Sequence, residues 1–323
     1  MKVSVIIPLL NEQENIDHLV DQLNEYFLSN DNFTVEVIFV NDGSQDSTVK
    51  KLKASEHIAY QAKVISFSKN FGSHAALRAG IQVATGDFIT FMYADLQDPL
   101  ELIDSLLEEI VSRNAEICWA FRNATDVSRT EKAFSRAYAY LMRRYAVANF
   151  PKNGFDIVMF SRKVQDCLNQ NVESNSSVFI QILSLGYMQT AVTYAKRARL
   201  LGKSKWTISK KIKLLIDSFV AFSFAPIRLV SLVGVLFFIS GILWTAYIIF
   251  RKMMFNDLES GWPALISILM VGFGITNISL GIIAEYLWRT LDASRKRPVF
   301  VIDEITDLNK VPDTLAVPHH IYQ

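Results

Sequence analysis

Cysteine is nearly absent: Cys118 and Cys167 are the only two in 323 residues. Neither has metal-ligand spacing and there is no framework of pairs, so disulfide-stapled and cysteine-metal classes are excluded. A reduced, cytosol-facing globular part is the simplest account. Net charge of one sign is missing too. Lys and Arg total 33 against 32 Asp and Glu, which gives no reason to expect a polyanionic partner and none to expect nucleic acid. No G-x-G-x-x-G follows the first strand pattern and no Walker lysine motif occurs, which argues against a dinucleotide oxidoreductase and a P-loop ATPase. The opening run, Met1 to Pro8, is too short in apolar residues for a signal peptide and lacks a small-residue cleavage site, so it reads as a first strand.

What is abundant is apolar. Half of the residues are hydrophobic and mean hydropathy is +0.21, with the excess concentrated in two runs near the C-terminus. Before them, strand and helix patterns alternate. Val3–Ile7, Val35–Val40, Val64–Phe67, Phe88–Tyr93 and Glu116–Ala120 read as strands. Ile16, Leu19, Val20, Leu23 and Phe27 recur at helical spacing, and further helices are predicted over His74–Val83 and Leu100–Val111. This alternation predicts an α/β fold with a doubly wound, mostly parallel sheet.

Polar groups end each predicted strand: Asn11 and Glu12, Asp42, Ser68 and Asn70, then Asp95, Gln97 and Asp98. In open α/β sheets ligands bind outside the carboxyl ends of the strands. The stretch GDFITFMYADLQDP (86–99) is the sharpest case. An apolar run breaks into Asp95, Gln97 and Asp98, which are expected to face solvent. Two hard oxygen donors at i and i+2 suit Mg²⁺ or Mn²⁺ carried on a diphosphate. An Asp/Pro turn that stops a strand fits this stretch equally well by itself; four such clusters at strand ends favour a site.

SVIIPLLNEQEN (4–15), FVNDGSQDST (39–48), FSKNFGSHAALRAGIQVATGD (67–87) and ADLQDP (94–99) resemble the inverting family-2 glycosyltransferases with a GT-A fold. More narrowly they resemble the polyisoprenyl-phosphate glycosyltransferases, and the likeness runs to about Arg297. It implies transfer of a sugar from a nucleotide-sugar donor, UDP-linked by that likeness, to a polyprenyl phosphate, with inversion. By that likeness Pro8, Asn11, Glu12 and Asp42 hold the nucleoside, and Asp95 and Gln97 ligate the metal. Arg122 and Lys132, then Arg129, match the residues that contact the acceptor phosphate. GFDIVMFSRK (154–163) resembles the family stretch in which an acidic residue, here Asp156, orients the acceptor. With Asp95, Asp156 is the catalytic candidate. A phosphate is already anionic at pH 7, so positioning rather than proton removal is its expected role. RLLGKSKW (199–206) resembles a basic signature suited to closing over phosphates, which nominates Arg199 and Lys205; attraction to anionic headgroups is the plainer reading. One departure stands out. Where the family reads Asp-Ala-Asp, this chain has Tyr93-Ala94-Asp95, and a phenol does not replace a carboxylate ligand at neutral pH. The change weakens metal dependence, alters sugar preference or marks a catalytically impaired, nucleotide-binding relative. A processive polysaccharide synthase is disfavoured, because no Q-x-x-R-W motif and no further spanning helices occur.

The expected layout is a catalytic domain over 1–207, an amphipathic surface helix over 208–225, a two-helix membrane hairpin over 226–290 and a tail over 291–323. Pro226–Phe250 and Trp262–Trp288 each supply the roughly 20 apolar residues a spanning helix needs. Arg228, Arg289, Arg295, Lys296 and Arg297 flank the outer ends, against Arg251 and Lys252 in the join. That bias predicts a multi-pass protein of the inner (cytoplasmic) membrane with catalytic domain and both termini cytosolic. A homo-oligomer is expected from the resemblance. The tail offers one possible strand, Val299–Ile302.

Overall fold

The computed structural model describes residues 1–122, 139–144, 147, 150–151, 157–170, 177–197, 261–295 and 298–309, together with parts of 230–254. Two compact units emerge: Met1–Tyr140 with Asn149–Ile208 and Pro298–Gln323, and Leu141–Ala148 with Ser209–Arg297.

The first unit is built on an eight-stranded sheet. Its strands are β1 (Lys2–Leu9), β2 (Thr34–Asn41), β3 (Gln61–Phe67), β4 (Phe88–Phe91), β5 (Ile117–Arg122), β6 (Ile157–Ser161), β7 (Gln189–Tyr194) and β8 (Ile302–Asp307). The spatial order is β7-β5-β6-β4-β1-β2-β3-β8. The β1–β2, β1–β4, β2–β3 and β5–β7 pairs are parallel; β6 and β8 run against their neighbours. The helices are α1 (Ile16–Leu28), α2 (Thr48–Ala54), α3 (Ser73–Val83), α4 (Leu102–Ser112), α5 (Arg162–Gln170) and α6 (Val178–Ser184). This is the mostly parallel α/β sheet that the strand-helix alternation predicts.

Period-2 alternation divides the two faces. Val3, Val5, Ile7 and Leu9 join Val35, Val37 and Phe39 in one core with Ile16, Leu19 and Leu23 of α1 and Ile103 and Leu106 of α4. Ile6 points the other way, toward α3. Gly80 lets that helix close in, because a Cβ there would lie 2.3 Å from Ile6 Cγ2.

Several expected boundaries move. Pro8 does not close the first strand, which runs to Leu9. Pairing with β4 ends at Ile6, so the missing N–H of Pro8 leaves no ladder bond unmade on that side. The first helix opens at Ile16 rather than near Asn11. Phe88–Tyr93 stops at Phe91, where Met92 N donates to Ile6 O and Leu96 N turns back onto Tyr93 O. In the C-terminal segment the strand is Ile302–Asp307, not Val299–Ile302, and it pairs with the edge of β3. The amphipathic stretch 208–225 lies outside the described residues.

At the N-terminal ends of β1 and β2 a carboxylate is fully buried. Glu36 accepts from Ser4 Oγ (2.6 Å) and from Thr85 N and Oγ1, with Lys2 Nζ at 3.2 Å and Lys63 Nζ at 3.7 Å. Burial alone would raise its pKa; the Ser4 and Thr85 donors and Lys2 outweigh it and hold the carboxyl at about 2. Ser4 Oγ also accepts from Gly86 N at 2.7 Å, which ties the start of β4 to β1.

In the second unit, α7 (Trp262–Arg295) runs for 34 residues. Its Val271–Trp288 segment is long and apolar enough to cross a membrane, and none of that segment is buried. It is the single such span among the described residues; about half of 226–254 lies outside them.

A depressed folded-state pKa contributes stability above the unfolded value that is lost as pH falls through the folded one. Glu36 therefore contributes about 3 kcal/mol at neutral pH, lost between pH near 4.5 and about 2. Denaturation of Glu36→Gln followed against pH is expected to show lower stability at pH 7 and a shallower slope across that acid window.

Candidate active site

Because β1 to β5 and β7 run the same way, their carboxyl ends share one edge of the sheet. The antiparallel β6 brings its N-terminal end there, with Ile157 opposite Ala120. Asp156 precedes Ile157 and lies outside the described residues, as do Arg129, Lys132, Arg199 and Lys205.

The loops after β1 and β2 are knitted together. Asn11 N donates to Ser44 Oγ and Gln45 N donates to Asn11 Oδ1, each at 2.9 Å. Glu12 N donates to Thr48 Oγ1 at 2.8 Å, and Ser47 N to Gln13 Oε1 at 3.1 Å. Asn11 adopts φ 49°, the left-handed region that Asn tolerates better than most residues. The Glu12 carboxylate accepts from Asn15 Nδ2 at 2.7 Å. Pro8 is half-buried at the foot of this loop.

Asp42 is buried and turns toward the loop after β3. Its Oδ1 accepts from Phe71 N at 2.7 Å, and its Oδ2 from Gly72 N at 3.0 Å. Burial pushes its carboxyl above the ordinary range, against the two N–H donors. Gly43 has φ +70°, and a Cβ there would lie 2.5 Å from the carbonyl carbon of Lys69. Only glycine allows the two backbones to approach this closely.

The turn after β4 holds Asp95 and Gln97, half-buried, with Gln97 N on Asp95 Oδ1 at 3.4 Å. Leu96 between them has φ 48°, a costly conformation for a residue with a branched side chain. Asp98 does not face solvent as the sequence suggests. It is 1% exposed, its Oδ1 accepts from Tyr194 Oη at 2.5 Å, and Lys196 Nζ lies 3.3 Å away. Arg197 N donates to Gln97 O at 2.8 Å, and Arg197 pairs with Glu101 at 3.2 Å. The turn is thereby latched to the segment that leaves β7. Register sets Arg122 opposite Tyr194, so the exposed arginine ends the strand next to the latch.

Among the described residues no three His, Cys, Asp or Glu side chains gather as a protein-only metal cage. Asp95 and Gln97 fit a cation shared with phosphate oxygens, since Mg²⁺ is commonly held by one or two carboxylates plus the substrate's own oxygens. Tyr93 packs partly buried against the core.

Sequence patterns pass over Tyr194, Lys196 and His74. The first two stand about a hundred residues from their partner and follow no motif. His74, in the first turn of α3, packs edge-on against Phe179, which in turn meets Phe91 at the end of β4. Burial and then Arg78 lower its pKa, so the ring is neutral, and its buried Nδ1 has no hydrogen-bond partner among the described residues.

Residues 4–175 match the family model described as Glycosyl transferase family 2. The chain is 32% identical over 306 residues to the uncharacterized glycosyltransferase YkcC of Bacillus subtilis (strain 168), covering 94% of both. It is 31% identical over 310 residues to the prophage bactoprenol glucosyl transferase homolog of Escherichia coli (strain K12), covering 94% of this chain and 99% of that one. It is also 31% identical to the bactoprenol glucosyl transferase of Shigella phage SfV, at 94% and 98% coverage. Among solved structures it resembles glucosyl-3-phosphoglycerate synthase from Mycobacterium tuberculosis in complex with UDP. There the TM-score is 0.46 and the identity 16%, covering 68% of this chain and 78% of that one.

The latch can be tested by stability. Asp98→Ala leaves the Lys196 ammonium unpaired beside a cavity and is expected to cost about 3 kcal/mol. Tyr194→Phe is expected to cost about 1 kcal/mol, and Asp98→Asn to fall between them. Denaturant unfolding of the full chain in nanodiscs measures all three.

Proposed function

The chain belongs to glycosyl transferase family 2, and from that membership we propose that it transfers a sugar from a UDP-linked donor to a polyprenyl phosphate at the cytosolic face of the inner membrane. The observation that carries this reading is the reach of the similarity. It spans 94% of the chain against bactoprenol glucosyl transferases, so it takes in the apolar C-terminal third as well as the sheet.

In this reading Asn11 and Glu12 bind the ribose side of the donor, Pro8 lines its seat and Asp42 accepts from the base. Each carboxylate oxygen has two lone pairs, so Asp42 retains acceptor capacity beyond its bonds to Phe71 and Gly72. Asp95 and Gln97 would hold Mg²⁺ or Mn²⁺, which when bound would neutralise charge on the leaving diphosphate. Arg122, Lys132, Arg129, Arg199 and Lys205 bind the acceptor phosphate, for which guanidinium forks are well shaped. A phosphate oxygen forms the new bond to the anomeric carbon as the bond from that carbon to the diphosphate breaks. The electron pair leaves with UDP, and configuration inverts. Asp156 positions the acceptor; no proton has to be removed.

Membrane attachment follows the same logic. The chain leaves the first unit at Ile208 and rejoins it at Pro298. A segment that departs from and returns to one folded body crosses a bilayer an even number of times. Since Val271–Trp288 is long and apolar enough for one crossing, 226–250 is the candidate for the other. A homo-oligomer is part of the proposal by family likeness.

The experiment supplies membranes containing the chain with undecaprenyl phosphate and a panel of radiolabelled UDP-sugars, UDP-glucose first. A labelled glycolipid is expected. Asp95→Ala should lower turnover by about a thousandfold, and Asp156→Ala by about a hundredfold. No product with any donor, or full turnover in Asp156→Ala, overturns the reading. A chain that binds UDP without turnover, and gains turnover in Tyr93→Asp, is instead the impaired relative.

A further inference from the structure

The segment that follows α7 does more than cover a sheet edge. Strand β8 pairs with β3 through Lys63↔Asp307, Ile65↔Ile305 and Ser66↔Glu304, and then the register shifts so that Phe67 faces Ile302. Bulges of this kind re-aim side chains and recur beside sites. Beyond the bulge, Ser68 N donates to Val301 O at 3.2 Å. The ring of Phe300 stacks on Phe67 with centroids 5.3 Å apart and planes at 12°. Phe67 is itself buried and meets Phe71 edge-on, 5.7 Å away at 89°. Phe71 N is one of the donors on Asp42. A continuous row of rings, Phe300–Phe67–Phe71, therefore runs from the C-terminal segment to the loop that holds the Asp42 carboxylate.

Among the described residues, that loop, 68–72, has few other holds. Its backbone rests on Gly43, Lys69 Nζ sits 5.1 Å over the Phe71 ring, and Asp42 takes its last two N–H groups. Removing Phe300 strips one face of Phe67 and frees the start of the loop, while β8 keeps its ladder and its Lys53–Glu304 pair at 2.9 Å.

We propose that Phe300 is a positioning residue for the donor pocket: the stretch returning from the membrane-facing helix holds loop 68–72, and through it Asp42, in the arrangement that receives the nucleotide base. The assignment of the pocket to a nucleotide rests on the function proposed above, whereas the hold on the loop does not, and the two are tested separately.

The first arm is amide hydrogen exchange on the full chain in nanodiscs without nucleotide. Phe300→Ala is expected to speed exchange of the Phe71 and Gly72 amides at least tenfold while β1 and α1 stay protected. Phe300→Tyr, which keeps the ring, is expected to restore wild-type exchange. Unchanged exchange at Phe71 and Gly72 overturns the proposal, as does equal loosening across the whole sheet. If Phe300→Ala does not fold, Phe300→Leu gives the same readout. The second arm is calorimetry with UDP. The Kd is expected to rise about tenfold in Phe300→Ala and by less than twofold in Glu304→Gln on the same strand. With an active donor, KM for that donor should rise and kcat should hold. Wild-type affinity in Phe300→Ala overturns the proposal. A wild-type chain that does not bind UDP overturns the donor assignment, and the exchange arm still decides the role of Phe300.

Discussion

Parallel pairing around β1 is the constraint from which the rest follows. With β2 on one side and β4 on the other, both running the same way, each chain reversal must occur over a sheet face and each strand delivers its last residues to the same edge. Asn11, Asp42, Phe71 and Asp95 are far apart in sequence and are brought to one edge of the sheet by that geometry. The antiparallel β6 extends the same edge, because its first residue rather than its last arrives there. The site is thus a property of strand direction before it is a property of any side chain.

The two ends of the sheet carry opposite chemistry. At the N-terminal end Glu36 is saturated by Ser4, Thr85 and the lysines beside it, and nothing is left over to bind a ligand. At the C-terminal end, polar groups bond mainly to neighbouring loops: Asn11 to the turn after β2, Asp42 to the turn after β3, Asp98 to the stretch after β7. Those bonds tie loop to loop along that edge. The unfavourable φ of Leu96 sits in the same turn, immediately before the latched residues Gln97 and Asp98.

Strands β1 to β5 were legible in the sequence because they are short and apolar, and α1, α3 and α4 carry clean 3.6-residue stripes; β6, β7, α5 and α6 were not read from the pattern. The resemblance supplied the residues expected to touch ligand. What escaped has identifiable reasons. Asp98 looks like any turn aspartate until β7 folds beside it, since its partners come from distant sequence. Strand β8 reads Ile302-Asp303-Glu304-Ile305-Thr306-Asp307, and its charges, typical of protected edge strands, mask the alternation. Pro8 misleads because a proline normally ends a ladder, whereas here one side of the strand has already run out of partner. The half-buried His74 gives no signal at all, for a single histidine in a helix pattern has many uses.

The placement of β8 also fixes the order in which the molecule can be completed during synthesis. Loop 68–72 and the edge of β3 emerge from the ribosome early, yet the strand that covers them is translated only after both apolar runs. Until then β3 presents an unpaired row of N–H and C=O groups, a template for wrong pairing. A chain cut short within the apolar region lacks its cover strand permanently. Strand β8 thus marks a chain translated through both apolar runs, and shorter products carry an exposed edge by which chaperones and proteases can sort them.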